Sequence, residues 1–310
     1  MRIVLSDKDL SGYSFPPEVL WEKISHNTLE KYDGNDSVVA IAGSRAIAIK
    51  AAEMSLPSLK LFQLTSAGFD YVPLSKYDER GVAVANAGAV YSVPIAETVV
   101  FGMLLIAKKL RENPNNRRFK VTRGYKEICE LADKKILIMG AGNIGTAVAE
   151  RLQGFQMQID GYDPYCQTKL QYQRILRDRE ELLKEIHIYD YIISTMPDNE
   201  QTKEFINAEL FTQMKKNVVI VNVGRKAVFQ QEDFYQALKK KQLGGAVLDM
   251  FEKIPNPLTN KFRRLNNVVV LPGVAAISKE VDVRLKEHMY KNIVAALEGE
   301  TLSNVINKGK

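Results

Sequence analysis

The sequence predicts an α/β protein with doubly wound parallel sheets, organised as two domains. The chain has 310 residues, and at about 150 residues per domain this length favours two of them. Short apolar, strand-like runs alternate with helical stretches almost from end to end, which is typical of parallel sheets with helices between the strands. The 45% hydrophobic and 26% charged residues are those of an ordinary globular chain and argue against a disordered, collagen-like or coiled-coil protein.

The first part of the chain contains four strand-like segments, with helices between them. A Ser-Ala-Gly turn at 66–68 follows the third, and Pro94 is predicted to open a long apolar helix that reaches about Leu110, because proline suits the first turn of a helix. The apolar stretch 89–107 contains Glu97, which a membrane span would not tolerate cheaply, so we expect no membrane segment. The four predicted strands are Arg2–Ser6, Val38–Ala42, Leu59–Thr65 and Val82–Ala85.

A second series of elements begins at Lys134 and suits a complete doubly wound nucleotide-binding domain. Its six predicted strands are Lys135–Met139, Gln158–Tyr162, Tyr191–Thr195, Val218–Val223, Gly245–Leu248 and Val268–Leu271. The predicted helices are Ile144–Leu152, Asn207–Gln213, Gln231–Lys240 and, at the end of the chain, Lys279–Leu297.

Cysteine usage and the start of the chain indicate a cytoplasmic, reducing environment. Cys129 and Cys166 are too few for a disulfide framework, and their spacing forms no C-x-x-C metal pair, so no metal site is expected. The first ten residues lack the basic and apolar regions of a signal peptide and are expected to form a buried strand.

The net charge of +6, from 43 Lys and Arg against 37 Asp and Glu, raises the question of an anionic partner. The densest basic stretch runs from Lys108 to Lys126. We interpret it first as a solvated helix end and loop, and second as a basic rim that attracts an anionic substrate. A nucleic-acid partner is the least favoured interpretation, because the chain has no zinc-finger spacing.

The strongest local signal is the G-x-G-x-x-G motif Gly140-Ala-Gly142-Asn143-Ile144-Gly145, which follows a predicted strand and opens a predicted helix. Gly140 permits a tight turn, Gly142 lets the backbone approach a pyrophosphate, and Gly145 permits close helix–strand packing. The unpaired N–H groups at the start of the helix favour phosphates. The motif therefore predicts a dinucleotide site.

Asp163 ends the next strand, 18 residues after Gly145. A carboxylate there accepts hydrogen bonds from the adenosine ribose and repels a 2′-phosphate, and no adjacent Arg is present to hold such a phosphate. NAD is therefore preferred over NADP. The alternative is that Asp163 is only a cap or turn residue.

Several segments, in order and spacing, resemble the D-2-hydroxyacid dehydrogenase family. They are SAGFDYVPL (66–74), NAGAVYSVPIAE (86–97), GAGNIG (140–145), STMPDNEQT (194–202), VNVGRKAVF (221–229), GGAVLDMFE (244–252) and LPGVAAIS (271–278). The resemblance implies a flavodoxin-like substrate domain of residues 1–90 and 280–310. It also implies a Rossmann-type NAD-binding domain of residues 91–279, and a homodimer formed through the helix after Pro94.

The same resemblance implies roles for individual residues, all around NAD and a small anionic substrate. Asn143 and Ile144 would contact the pyrophosphate, and Asp249 would hold the nicotinamide carboxamide. Backbone donors to a substrate carboxylate would come from Ser66, Ala67 and Gly68. The remaining cofactor-binding positions are Met196, Pro197, Thr202, Val223 and Gly224.

The catalytic set implied by the resemblance is incomplete. Arg225 matches the family's arginine, which orients the substrate carboxylate, but Ile254 and Gly273 stand where the family has its Glu and its proton-donating His. The two losses fit together, because a carboxylate without its imidazole partner would be a costly unpaired charge. Lys226, Tyr91 and a bound water are the alternative proton donors.

Three functions therefore remain open at the level of sequence. The first is an NAD-dependent oxidoreductase that acts on a small 2-hydroxy or 2-oxo acid with an atypical proton donor. The second is a catalytically degenerate protein that binds NAD(H) or a metabolite and serves regulation. A role in nucleic-acid binding or scaffolding, based on the basic surface, is the third and weakest reading.

Overall fold

The computed structural model describes residues 1–110, 128–167, 169–249, 261–271 and 273–307. Two compact units share the chain: Met1–Tyr91 with Ser278–Lys310, and Ser92–Ile277. Ile254, at the expected carboxylate position, and most of the basic stretch from Lys108 to Lys126 lie outside the described residues.

The first unit contains a five-stranded parallel sheet with the strand order β2-β1-β3-β4-β5, which is the flavodoxin-like order. The four predicted strands are present, together with a fifth that was not predicted, β2, which pairs with β1 at the edge of the sheet. The strands are β1 Arg2–Ser6, β2 Val19–Lys23, β3 Val38–Gly43, β4 Leu61–Leu64 and β5 Ala83–Ala85.

Both faces of this sheet are covered by helices, as a parallel sheet requires. The helices are α1 Arg45–Glu53, α2 Leu74–Glu79 and, from the end of the chain, Lys279–Glu298, which is named α8 below. Leu5 and Phe62 pack into the apolar cluster that contains Ile47 of α1. Val4 and Leu61 pack on the other face, in the cluster that contains Met289 of α8. Alternation along the strands thus places successive side chains in two separate cores.

The second unit contains a seven-stranded parallel sheet with the order β12-β11-β10-β9-β6-β7-β8, which is the Rossmann order with one further strand. The six predicted strands are present, and the prediction missed the two-residue strand β8. The strands are β6 Lys135–Met139, β7 Gln158–Tyr162, β8 Ile175–Leu176, β9 Tyr191–Ser194, β10 Val219–Asn222, β11 Gly245–Leu248 and β12 Val268–Val270. The connecting helices are α4 Asn143–Gln153, α5 Arg179–Glu185, α6 Ala208–Gln213 and α7 Gln231–Lys239.

The long apolar helix α3 covers Gly88–Ala107, so the predicted start at Pro94 was wrong and the proline lies inside the helix. By length and hydropathy alone, α3 could cross a membrane. Its packing is that of a core helix: Val99 and Met103 are buried. A Cβ atom on Gly102 would lie 2.6 Å from a methyl group of Val247 in β11. The missing side chain of Gly102 therefore lets α3 approach the sheet closely.

Candidate functional site

The residues predicted to bind the cofactor follow neighbouring strands of the second sheet at the carboxyl end of each strand. The glycine motif follows β6 and Asp163 follows β7, while Met196, Val223 and Asp249 come after β9, β10 and β11. In parallel sheets of this kind, ligands bind at the carboxyl edge where the strand order reverses. β6 lies between β7 and β9, at that reversal.

The glycine-rich loop has the geometry that its three glycines predict. Gly140 has φ +98°, and a Cβ there would come within 2.7 Å of Thr195 Oγ1. A Cβ on Gly145 would lie only 2.0 Å from Gly140 O, so helix α4 can pack this closely only with glycine. Gly142 is exposed, and a Cβ on it would meet no described atom within 4 Å. The space beside Gly142 is thus open to a phosphate.

The start of α4 provides the polar groups that a pyrophosphate needs. The N-cap is Gly142, which has no side chain that could cap the helix, and Asn143, the first helical residue, is exposed. The first backbone N–H groups of a helix have no acceptor within the helix and carry partial positive charge. The loop and helix start therefore fit a dinucleotide.

Asp163 holds the glycine-rich loop through backbone hydrogen bonds. Its Oδ2 accepts from Ala141 N at 2.9 Å, and its Oδ1 accepts from Tyr165 N at 2.9 Å and Cys166 N at 3.0 Å. A carboxylate has about four acceptor sites, so one remains for a ribose hydroxyl. The turn role that the sequence left as an alternative is thus present, and ribose binding remains a prediction.

Lys169, which was not among the predicted site residues, also contacts this loop. Its Nζ donates to Ala141 O at 2.6 Å and to Thr146 Oγ1 at 3.0 Å. Asp163 and Lys169 together hold both polar groups of the Ala141 backbone. No motif marks Lys169, because the contact joins residues 28 positions apart and exists only in the folded loop.

The loops after β9 and β10 pack directly on each other. A Cβ on Gly224 would lie 2.8 Å from Met196 O, and the N–H groups of Val223 and Gly224 both donate to Ser194 O, at 3.1 and 2.9 Å. Thr202 is buried and its hydroxyl donates to Pro197 O at 2.7 Å. Thr202 therefore fixes the Met196-Pro197 segment, and its predicted position near the phosphates remains a prediction.

Arg225 and Lys226 differ in their surroundings. Arg225 is half-buried and its Nη1 donates to Gly224 O at 3.1 Å. Lys226 is exposed at the start of a short 3-10 helix. The half-buried guanidinium beside the β10 loop is the better placed of the two to grip an anion.

Asp249 organises the segment that contains Gly273. Its Oδ1 accepts from Val274 N at 2.9 Å and from Ala275 N at 3.2 Å. Burial raises the pKa of Asp249, although these backbone N–H groups oppose the shift. Gly273 has φ +73°, and a Cβ on it would meet no described atom within 4 Å. The position therefore has room for a side chain but a backbone conformation that favours glycine.

The chain has three histidines, and two of them, His26 and His288, belong to the first unit. His26 is exposed in the first unit, and His187 is exposed just before β9, at the amino end of the strand. His288 on α8 shares a hydrogen bond of 3.0 Å with Asn86 O, and burial lowers its pKa. Within the second unit, the described residues place no histidine at the carboxyl edge of β6–β12.

In the first unit, Tyr91 and the Ser66–Gly68 turn are held by internal hydrogen bonds. The Tyr91 hydroxyl donates to Thr65 O at 2.5 Å, and burial raises its pKa. Ser66 Oγ bonds Tyr71 at 2.6 Å, and Asn86 Nδ2 donates to Ala67 O at 2.9 Å. These contacts fix the turn while the N–H groups of Ala67 and Gly68 have no acceptor among the described residues. The turn can therefore offer two donors to a carboxylate.

Comparison with known sequences shows what the chain resembles. Residues 100–275 match the family described as D-isomer specific 2-hydroxyacid dehydrogenase, NAD binding domain. The chain is 30% identical over 285 residues to D-3-phosphoglycerate dehydrogenase of Methanocaldococcus jannaschii, covering 90% of this chain and 53% of that protein. It is 29% identical over 265 residues to glyoxylate reductase of Thermofilum pendens, covering 81% of this chain and 76% of that protein. The chain thus spans about half the length of the first relative.

Solved structures show the same fold. D-mandelate dehydrogenase of Rhodotorula graminis superposes with a TM-score of 0.83 at 20% identity, covering 100% of this chain and 98% of that one. The 2-hydroxyacid dehydrogenase of Ketogulonicigenium vulgare gives a TM-score of 0.73 at 22% identity, covering 100% and 99%. The predicted fold class, a Rossmann-type domain inserted in a flavodoxin-like one, is confirmed.

Proposed function

The chain belongs to the D-isomer specific 2-hydroxyacid dehydrogenase family, and on that premise we propose that it is an NAD-dependent oxidoreductase that acts on a small 2-hydroxy acid, 2-oxo acid or related anionic substrate. The relatives' names, glyoxylate reductase and D-3-phosphoglycerate dehydrogenase, support a small acid as substrate. The observation that carries the proposal is the geometry of the glycine-rich loop. Gly145 packs so closely against Gly140 O that any residue with a Cβ atom would overlap it.

Different residues of the chain bind the cofactor and the substrate. The loop Gly140–Gly145 and the start of α4 hold the cofactor pyrophosphate, and Asp163 offers its remaining acceptor site to the ribose. Arg225 grips the substrate carboxylate, since a planar guanidinium can form two parallel hydrogen bonds and stays charged at any working pH. When bound, the nicotinamide cofactor supplies or accepts the hydride.

Water is our proposed proton donor for a 2-oxo acid. Gly273 stands where the family resemblance places a histidine, and Lys226 is exposed. The Tyr91 hydroxyl is already donating to Thr65 O, and its pKa is raised by burial. These surroundings support a bound water over either side chain. Because a general acid typically contributes about 10²–10⁴-fold in rate, reduction of ordinary 2-oxo acids should be slow.

A second candidate substrate follows from the same glycine. A protonated 2-imino acid already carries its proton on nitrogen, so hydride addition to C2 gives the amino acid with no proton from the protein. Arg225 would hold its carboxylate as it holds that of an oxo acid. Gly273 stands where the family has its histidine, and the described residues of the second unit place no histidine at the carboxyl edge, which favours this substrate class over a 2-oxo acid.

The experiment is an assay of NADH oxidation by the purified chain with glyoxylate, pyruvate and hydroxypyruvate, each with and without ammonium. Turnover that requires ammonium identifies the imino substrate, and turnover without it identifies the oxo acid. Tight NADH binding with no turnover on any acid, measured by calorimetry, would instead establish the alternative, a regulatory protein that binds NAD(H) or a metabolite.

The matched variant is Arg225→Lys, which keeps the positive charge but loses the planar guanidinium group with its two parallel N–H donors. We expect acid binding to weaken at least tenfold while NADH affinity stays within a few-fold, because the dinucleotide is held mainly elsewhere. Calorimetric titration of both forms measures the two affinities. Unchanged acid binding would show that the anchor for the carboxylate is another residue.

We further propose that the protein is a cytoplasmic homodimer that pairs through α3. Phe101 on this helix is 55% exposed, and Val100, Leu104 and Leu105 beside it are only partly buried. An apolar helix face of this kind supports pairing with a second copy. Cys129 and Cys166 form no disulfide, which supports a reducing compartment.

A further inference from the structure

A cavity of about 900 Å³ opens at the amino edge of the second sheet, on the side away from the glycine-rich loop. Its wall includes Tyr191 and Val219, the first residues of β9 and β10, and Gly244, which directly precedes β11. The end of α3, at Ile106 and Ala107, completes this part of the wall. No role assigned above to the cofactor or the substrate uses this cavity.

The charges around the cavity are almost all positive. Asp190 is the one acidic residue among the described residues that line the cavity. Both of its carboxylate oxygens are already paired: Lys215 Nζ lies 2.8 Å from Oδ1, and Lys135 N donates to Oδ2 at 3.0 Å. The seven cationic lining residues are Lys109, Lys134, Lys215, Lys216, Lys239, Lys241 and Arg264. With Asp190 they sum to +6, which equals the formal charge of the whole chain.

Helix ends account for only part of this charge. Lys239 ends α7, and a helix C-terminus carries roughly half a negative charge, which favours a cation there. Lys134, Lys216, Lys241 and Arg264 make no ion pair with the part of the chain that the structure describes. A concave surface lined by one sign of charge concentrates the field and attracts ions of the opposite sign.

We propose that this cavity binds a nucleoside polyphosphate. Its volume suits a ligand of nucleotide size, since small-molecule sites are about 300–1,000 Å³. The ammonium and guanidinium groups fit the phosphates, and the half-buried side chains Ile106 and Leu265 give an apolar surface for the nucleoside. Because the site lies at the opposite edge of the sheet from Gly140–Gly145, this ligand and NADH bind independently.

The test is calorimetric titration of the full chain with ATP at low salt, in EDTA, with and without saturating NADH. The cavity variant is the double substitution Lys216→Glu and Lys241→Glu. The matched control is Lys31→Glu with Lys60→Glu, two exposed lysines of the first unit, which changes the net charge equally. We expect ATP to bind whether or not NADH is present, adenosine to bind at least tenfold more weakly, and the cavity variant to weaken ATP at least tenfold.

The control variant should bind ATP as the unmodified chain does, and both variants should keep their NADH affinity. The proposal is overturned if ATP does not bind, if NADH displaces it, or if the control weakens it as much as the cavity variant. A duplex oligonucleotide that binds more tightly than ATP, and is lost only in the cavity variant, would overturn it in favour of nucleic acid.

Discussion

Gly142 is the N-cap of α4 and Gly145 lies in its first turn, and glycine is needed at the two positions for different physical reasons. A Cβ on Gly145 would overlap Gly140 O at 2.0 Å, whereas a Cβ on Gly142 would meet no described atom within 4 Å. We therefore expect Gly145→Ala to lower the free energy of unfolding by about 1–3 kcal/mol, as overpacking does. Gly142→Ala should leave it within about 0.5 kcal/mol.

NADH binding should separate the two variants further. In Gly142→Ala the fold is kept, but the methyl group occupies the space through which the backbone approaches a pyrophosphate, so NADH should bind at least tenfold more weakly. Thermal unfolding and NADH fluorescence titration measure the two effects. A Gly142→Ala protein with unchanged NADH affinity would mean that the pyrophosphate does not lie on this loop.

Gly273 offers a direct test of the missing proton donor. Substitution by His meets no steric obstacle among the described atoms, but φ +73° costs a non-glycine residue about 1–2 kcal/mol. We expect Gly273→His to lose about that much stability and to raise kcat/KM for a 2-oxo acid at least tenfold. The gain should disappear as pH rises and the new imidazole loses its proton.

The control for this variant is Gly273→Asn, because asparagine tolerates the same backbone conformation and cannot act as a general acid. Steady-state rates of both variants with glyoxylate, measured from pH 5 to 9, decide the matter. An equal gain in Gly273→Asn would show that filling the space, and not proton donation, changed the rate.

Among the elements, helix α8 links the end of the chain to the first sheet through His288. Burial, and secondarily Lys291, lowers the pKa of His288 from its ordinary 6.5, while its hydrogen bond to Asn86 O opposes the shift. The folded protein thus binds this proton less well than the unfolded chain. Stability from this group is complete above pH 6.5 and is lost as pH falls from 6.5 through the folded-state pKa.

The matched substitution is His288→Gln, which keeps an N–H donor for Asn86 O but does not titrate. We expect it to flatten the pH dependence of the unfolding free energy between pH 5 and 7. Urea unfolding at several pH values measures this slope. An unchanged slope in His288→Gln would place the titrating group elsewhere.

The elements that the sequence revealed are those with strong local signals. Buried strands such as β6 are continuous apolar runs, and the glycine motif has fixed spacing. Strand β2 was missed because it lies at the sheet edge and mixes Leu20, which is 39% exposed, with Glu22 and Lys23. The start of α3 was placed six residues late because Pro94 suits a first turn, but the helix tolerates it inside.

The candidate site was predictable to the same extent. The roles of Gly140 and Gly145 depend on the local backbone geometry of the turn and the helix start. The spacing of the G-x-G-x-x-G motif is enough to predict that geometry. The bond from Ala141 N to Asp163 and the contact of Lys169 with Ala141 O join chain segments that meet only after folding. No periodicity or motif carries that information.

At the scale of the whole molecule, the surface of α3 bears on how copies of the chain assemble. Gly102 packs against Val247 and fixes which face of the helix meets the sheet, and this leaves Phe101 55% exposed on the other side. A side chain of this size contributes about 1.5–3 kcal/mol when fully buried, and in a two-fold symmetric pair it is buried twice. The proposed homodimer therefore depends strongly on this residue.

We expect Phe101→Glu to raise the dimer dissociation constant at least tenfold, since each 1.4 kcal/mol is a factor of ten, and to leave the fold of the subunit intact. The control is Val283→Glu, because Val283 on α8 is 64% exposed and lies in the first unit. Sedimentation equilibrium over a range of protein concentrations measures both constants. If the unmodified chain is a monomer at tens of micromolar, or if Val283→Glu dissociates the dimer equally, α3 is not the interface. Circular dichroism of Phe101→Glu separates dissociation from unfolding, because an exposed side chain can be replaced without loss of the subunit's core.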